Sequence, residues 1–141
     1  TIAWTGTVCT NPAMLYISVR PERYSYDIIK ETGEFVVNLT TKELAFATDF
    51  CGVKSGRDTD KISDMGLTLV ESDFVSVPGI REFPLTLECK VIYKQKQDLS
   101  AIPAELLEKY YPQDVSDPDQ GHNRDRHVAF YGEIVDSYII E

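Results

Sequence analysis

The apolar residues of this chain come in short, β-branched runs of strand length, and that limits it to a fold built mainly of sheet. Glu34-Phe35-Val36-Val37-Asn38-Leu39 is the clearest run, with Gly33 before it. Strands are also predicted over Thr1–Val8, Met14–Val19, Leu67–Val70, Pro84–Lys96 and about Arg126–Ile140. In Pro84–Lys96, Leu85, Leu87, Cys89, Val91 and Tyr93 alternate with Thr86, Glu88, Lys90 and Lys94, which predicts one dry face and one wet face. Helical patterning is confined to short pieces. One is Tyr24–Glu31, stopped at Thr32-Gly33. A second follows a capping box at Thr40–Glu43 and carries Leu44, Phe46, Ala47 and Phe50 on one stripe, with Gly52 ending it. Thr59–Met65 and Pro103–Tyr110 complete the set. Helices that fail to alternate with strands argue against a doubly wound parallel sheet and for an antiparallel barrel or sandwich with helices at its ends.

The 141 residues suffice for one domain spanning 1–141, and 43% hydrophobic content provides for a core. No apolar run approaches the roughly 18 residues that span a bilayer. The opening Thr1-Ile2-Ala3-Trp4 is already strand-like, so no signal peptide is expected and the chain is expected to begin inside a longer polypeptide. Net charge is −9, which disfavours broad nucleic-acid binding. Residues 98–141 hold ten acids against three bases, so the first two-thirds of the chain lies near neutrality and can accept a small anion. The stretch Tyr111–Asp125 reads as a mobile insertion or a partner-contacting loop, and its acidic part, Val115–Asp125, would suit docking to a basic protein. Cys9, Cys51 and Cys89 form no metal or disulfide spacing. They read as reduced thiols of a cytoplasmic protein, with a redox role for Cys9 or Cys51 as the alternative.

Hydrolytic and nucleotide motifs are missing, and His122 and His127 are the only histidines. The chemistry-bearing stretch is Gly52–Lys61, where Ser55, Gly56, Arg57 and Lys61 combine a hydroxyl, a permissive backbone and two cations. Such a loop before a helix suits a phosphate. Asp58 and Asp60 leave open a plain capping loop in which they pair with Arg57 and Lys61. Ser25 either caps its helix or donates to the same anion. Trp4, near Thr5 and Thr7, is either core packing or an edge for a planar heterocycle. His127 opens the last strand, as a surface residue or as a pocket border.

In order and spacing, these residues resemble the flavin reductase-like FMN-binding family, and its flavoredoxin-type members most closely. The likeness rests on Thr1–Val8 running into Asn11-Pro12, on Tyr16–Ser25, on Gly33–Leu39, on Cys51–Lys61 with its Ser-Gly-Arg-Asp-x-Asp-Lys string, and on His127–Val135. The resemblance implies a mostly β, antiparallel split β-barrel with a few short helices that forms a homodimer and binds one FMN per subunit. It places Trp4, Thr5 and Thr7 beside the isoalloxazine, Ser25 and Lys61 at the phosphate, Ser55 and Arg57 in the adjoining loop, and His127 at the pocket border. The strand that usually precedes this segment is absent from the chain, and Ile62 stands where the family usually has Phe. The resemblance also implies that no side chain acts as acid or base, because the flavin carries the redox step. Two functions follow. One is an oxidoreductase passing electrons from NAD(P)H or a redox protein through FMN to an acceptor. The other is a non-catalytic FMN electron carrier working between protein partners. Neither involves a metal, nucleic acid or membrane.

Overall fold

The computed structural model describes residues 1–2, 4–113 and 126–140. The predicted excursion from Tyr111 to Asp125 therefore falls, from residue 114 onward, outside the described residues. Among the described residues, seven strands and four α-helices appear in the order β1 (Thr5–Thr10), β2 (Ala13–Val19), α1 (Tyr24–Thr32), β3 (Glu34–Leu39), α2 (Ala45–Val53), α3 (Lys61–Asp64), β4 (Leu69–Val70), β5 (Gly79–Ile80), β6 (Leu85–Lys96), α4 (Ala104–Tyr110) and β7 (Val128–Ile139). Five strands form one antiparallel sheet in the order β1-β2-β7-β6-β3, and β4 pairs only with β5. The protein is mostly β, as its sequence predicts. None of its described helices is long and apolar enough to cross a membrane.

The core lies on one face of the sheet. Leu15, Ile17 and Val19 of β2, Val128 and Phe130 of β7, Phe35 of β3 and Cys89 of β6 pack there with Ile29 of α1. Tyr26 of α1 meets Phe130 edge-on at 5.6 Å. Helix α1 ends because Gly33 takes a left-handed conformation (φ 70°) and returns its N–H to the Ile29 carbonyl. The β-branched run that follows then pairs along its whole length with β6.

Four local expectations need correction. The capping box at Thr40–Glu43 is not made: Thr41 precedes a 3-10 turn and its side chain caps nothing. Gly52 does not end α2, which runs through it to Val53. Ser25 does not cap α1, which starts from Arg23 without a side-chain cap. The predicted wet face of β6 is dry at its start, where Thr86 and Glu88 are both fully buried. Residues 72–80 cross that face and are tied down by side chains beneath them. Glu88 accepts from the Asp73 and Phe74 amides (2.9 and 2.7 Å), Glu34 accepts from the Ser76 amide and hydroxyl (2.7 and 2.6 Å), and Asn38 accepts from the Ile80 amide (3.1 Å).

Candidate functional site

The eight residues singled out from the sequence fall into two groups and a connecting strand. The first group is cationic. Lys61, half-buried at the start of α3, donates to the Cys51 carbonyl at 2.6 Å and to the Thr1 hydroxyl at 3.4 Å. Ser25, on the first turn of α1, accepts from the Thr1 nitrogen at 3.1 Å. Thr1 thus bridges two side chains that are 36 positions apart in sequence. No carboxylate lies within ion-pair distance of Lys61 among the described residues. Burial lowers its pKa from the ordinary 10.5, and the nearby Cys51 thiol opposes that shift. Asp60, which the sequence offers as its partner, instead caps α3 by accepting from the Ser63 amide at 3.2 Å.

Ser55 and Arg57 stand beside this group. The Ser55 hydroxyl accepts from the Arg57 amide at 3.2 Å, and the Ser55 carbonyl accepts from the Asp58 and Thr59 amides, which closes a tight turn. The Arg57 guanidinium points to α1 and not to Lys61. It donates to the Glu22 carbonyl at 3.1 Å and to Asp27 at 3.5 Å.

The second group is aromatic. Trp4 precedes β1 and is 62% exposed, so it is not core packing. Its ring lies 5.3 Å from that of His127 and nearly parallel to it, at 15°. Both border an open groove of about 780 Å³ that also touches Ser18, Gln97, Tyr110 and Tyr111. Gln97 fixes the mouth of β7 there: its side-chain oxygen accepts from the His127 backbone N–H (3.2 Å) and its backbone N–H donates to the His127 carbonyl (2.9 Å).

Between these groups runs β1. Its register pairs Thr5 with Ile17 and Thr7 with Leu15, both core-facing residues. Side chains alternate along a strand, so Thr5 and Thr7 share the face covered by α1, whereas Trp4 lies opposite Ser18 on the other face. The single wall of Trp4, Thr5 and Thr7 is therefore split between two faces, and the two-residue period of a strand was the signal for it. The Thr5 hydroxyl donates to the Tyr16 carbonyl at 2.8 Å. The Ser18 amide donates to the Trp4 carbonyl at 2.9 Å, so the alternating antiparallel ladder turns the backbone N–H groups of Thr5 and Thr7 away from β2. Among the described residues, β1 has no second partner strand, and those donors face an open edge.

A family model described as a flavin reductase like domain matches residues 1–141. The chain belongs to that family. A relative of this flavin reductase-like chain in Archaeoglobus fulgidus, an uncharacterized protein, is 33% identical over 133 residues, which covers 92% of this chain and 75% of the relative. Among solved structures, the flavoredoxin of Desulfovibrio vulgaris (Miyazaki F) superposes with a TM-score of 0.74 at 26% identity, and a flavoredoxin from Methanosarcina acetivorans with 0.72 at 26%. Each match covers 99% of this chain, which spans 60% of either flavoredoxin. A protein with a split barrel domain from Shewanella frigidimarina NCIMB 400 has the same fold, with a TM-score of 0.72 at 17% identity over 98% of this chain and 57% of its own.

Proposed function

We propose that this chain binds FMN and serves as an oxidoreductase of the flavin reductase-like type, taking electrons from NAD(P)H or a redox protein and passing them to an acceptor. One observation carries the reading: Lys61 is a half-buried ammonium whose partners are neutral oxygens, beside the Ser25 hydroxyl. A cation held without a counter-charge fits an anion, and a phosphate monoester matches both donors. The open edge of β1 fits the other end of the ligand, because outward N–H groups suit the carbonyls of a planar heterocycle. Ser25 and Lys61 would hold the phosphate, and the Ser55–Asp58 turn would border it. Thr5 and Thr7 on one face of the edge, with Trp4 and His127 on the other, would flank the ring. When bound, FMN supplies two-electron redox chemistry. The protein's own part is to orient the ring, exclude water from it and present fixed amide dipoles where charge gathers.

The half-exposed tyrosine row Tyr16, Tyr131 and Tyr93 lies on the face opposite the core, with neighbouring rings 6.1 and 5.2 Å apart, and supports a homodimer as the working unit. Two measurements test the proposal. Lys61→Ala should weaken FMN roughly thirtyfold, the worth of one charge-assisted hydrogen bond, and leave riboflavin unchanged. Equal losses for both ligands would remove Lys61 from the phosphate. In the anaerobic visible spectrum, flavin bands that bleach with NADH or NADPH support the enzyme, and bands that respond only to dithionite support the carrier.

A further inference from the structure

Arg57 has the residue type of an anion ligand, yet three groups of the protein already occupy its guanidinium. One is the Glu22 carbonyl at 3.1 Å, the second is the Asp27 carboxylate at 3.5 Å, and the third is the Tyr24 ring, whose centroid lies 5.2 Å from the guanidinium carbon. All three belong to the entry or the first turn of α1. The contact extends to the backbone: a Cβ at Gly56 would come within 3.1 Å of the Tyr24 ring, so a larger residue there would have to push that ring back by a few tenths of an ångström. The Glu22 carboxylate is itself paired with Arg20 and lies 3.8 Å from Arg23, which steadies the carbonyl that Arg57 uses.

These ties join two segments that matter for the site. Helix α1 carries Ser25, one residue after Tyr24 and two before Asp27. The turn carrying Arg57 leads within four residues to Lys61. Among the described residues no hydrogen bond joins Ser25 to Lys61 directly; each is bonded to Thr1. We infer that Arg57 is a positioning residue, which pins the Ser55–Asp58 turn to the first turn of α1 and so sets the spacing of Ser25 and Lys61 for a phosphate. The inference rests on the phosphate reading given above. A planar fork that meets a carbonyl and a carboxylate while lying over a ring is work for arginine that lysine reproduces only in part.

The test compares FMN and riboflavin affinities, read by quenching of flavin fluorescence, for the wild type, Arg57→Ala, Arg57→Lys and Asp27→Asn. Arg57→Ala should weaken FMN roughly five- to tenfold, as expected of a half-exposed ion pair and one further hydrogen bond, with riboflavin held within about twofold. Arg57→Lys should recover part of that loss. Asp27→Asn decides the mechanism by its sign. It should weaken FMN roughly threefold, although it removes a negative charge from the neighbourhood of an anion. Tighter FMN binding by Asp27→Asn would mean that a released guanidinium binds the phosphate itself, and that overturns the inference. Unchanged FMN affinity in Arg57→Ala, or an equal loss for riboflavin, overturns it as well. A wild-type protein that binds FMN no better than riboflavin defeats the phosphate reading first, and is told apart because it appears before any variant is compared.

Discussion

Two polar assemblies in this protein handle charge in opposite ways. Over β3 and β6, Glu88 is fully buried, yet its two oxygens are satisfied by the Asp73 and Phe74 amides. At the start of α3, Lys61 is only half-buried, yet among the described residues its ammonium meets no acid, only the Cys51 carbonyl and the Thr1 hydroxyl. A buried charge with a full set of hydrogen bonds has its desolvation offset within the fold, and removing it exposes that cost. A cation with only neutral acceptors keeps the capacity to gain from an incoming anion. The first arrangement holds a chain segment in place. The second holds a charge ready for a ligand.

The largest expected effect tests the structural half of this contrast. Glu88→Ala leaves two strap amides without an acceptor at a dry site, so unfolding in urea should show a loss of about 3 kcal/mol. Lys61→Ala should change stability by less than about 1 kcal/mol in the same assay, because its partners can find water. Similar losses in the two variants would erase the distinction. The Cys89 thiol responds to the same buried carboxylate. Burial first, and the Glu88 charge second, push its pKa up to about 12. It should therefore stay protonated, and inert to alkylation, in the folded protein.

The ligand half is tested by pH. Burial lowers the Lys61 pKa below its ordinary 10.5, whereas a bound phosphate favours the charged form. As pH rises through that lowered value the free protein loses the Lys61 proton, so FMN affinity should fall, with onset below pH 10.5 and a limit near the loss in Lys61→Ala. On the acid side, affinity should also fall below about pH 6, where a phosphate monoester takes up its second proton. Riboflavin affinity should stay level through the acid limb, and because the ring N3–H of both flavins also ionises at alkaline pH, the Lys61 limb is the loss that FMN shows beyond riboflavin. An alkaline limb equal for riboflavin would assign the titration to the ring end of the site.

The contrast also separates what the sequence makes legible from what it hides. Strand β3 is readable to the residue, because a β-branched run follows a glycine whose left-handed conformation stops α1. The burial of Thr86 and Glu88 is not, since it depends on a strap, residues 72–80, that has no periodicity of its own and is held by hydrogen bonds from β3 and β6. Two-residue β5 is too short to leave a pattern. At the site, Ser25 and Lys61 are singled out by residue type and assigned to a flavin phosphate by resemblance to a family, but their meeting through Thr1 is a tertiary fact that no spacing encodes. Arg57 shows the limit of reasoning from residue type. A cation beside a glycine suggests an anion, and only the fold shows that Asp27 and Tyr24 reach it first.

The smallest expected effect probes the strap at its rim, where Glu34 accepts two hydrogen bonds from Ser76. The Ser76 hydroxyl first, then its amide, lower the Glu34 pKa from the ordinary 4.5, with Lys90 adding to the shift and desolvation opposing it. A carboxylate lowered by folding contributes stability above its unfolded pKa, and that contribution disappears as pH falls through the folded value. The window is thus the acid side of pH 4.5, and Glu34→Gln should flatten the stability profile only there. Because Glu34 is open to solvent, the change should be a few tenths of a kcal/mol, an order below that of Glu88→Ala. The two glutamates hold neighbouring parts of one strap, so the ratio of their effects measures burial directly. A Glu34→Gln loss equal to that of Glu88→Ala would show that the strap is held by its rim, and that the dry site beneath it adds nothing of its own.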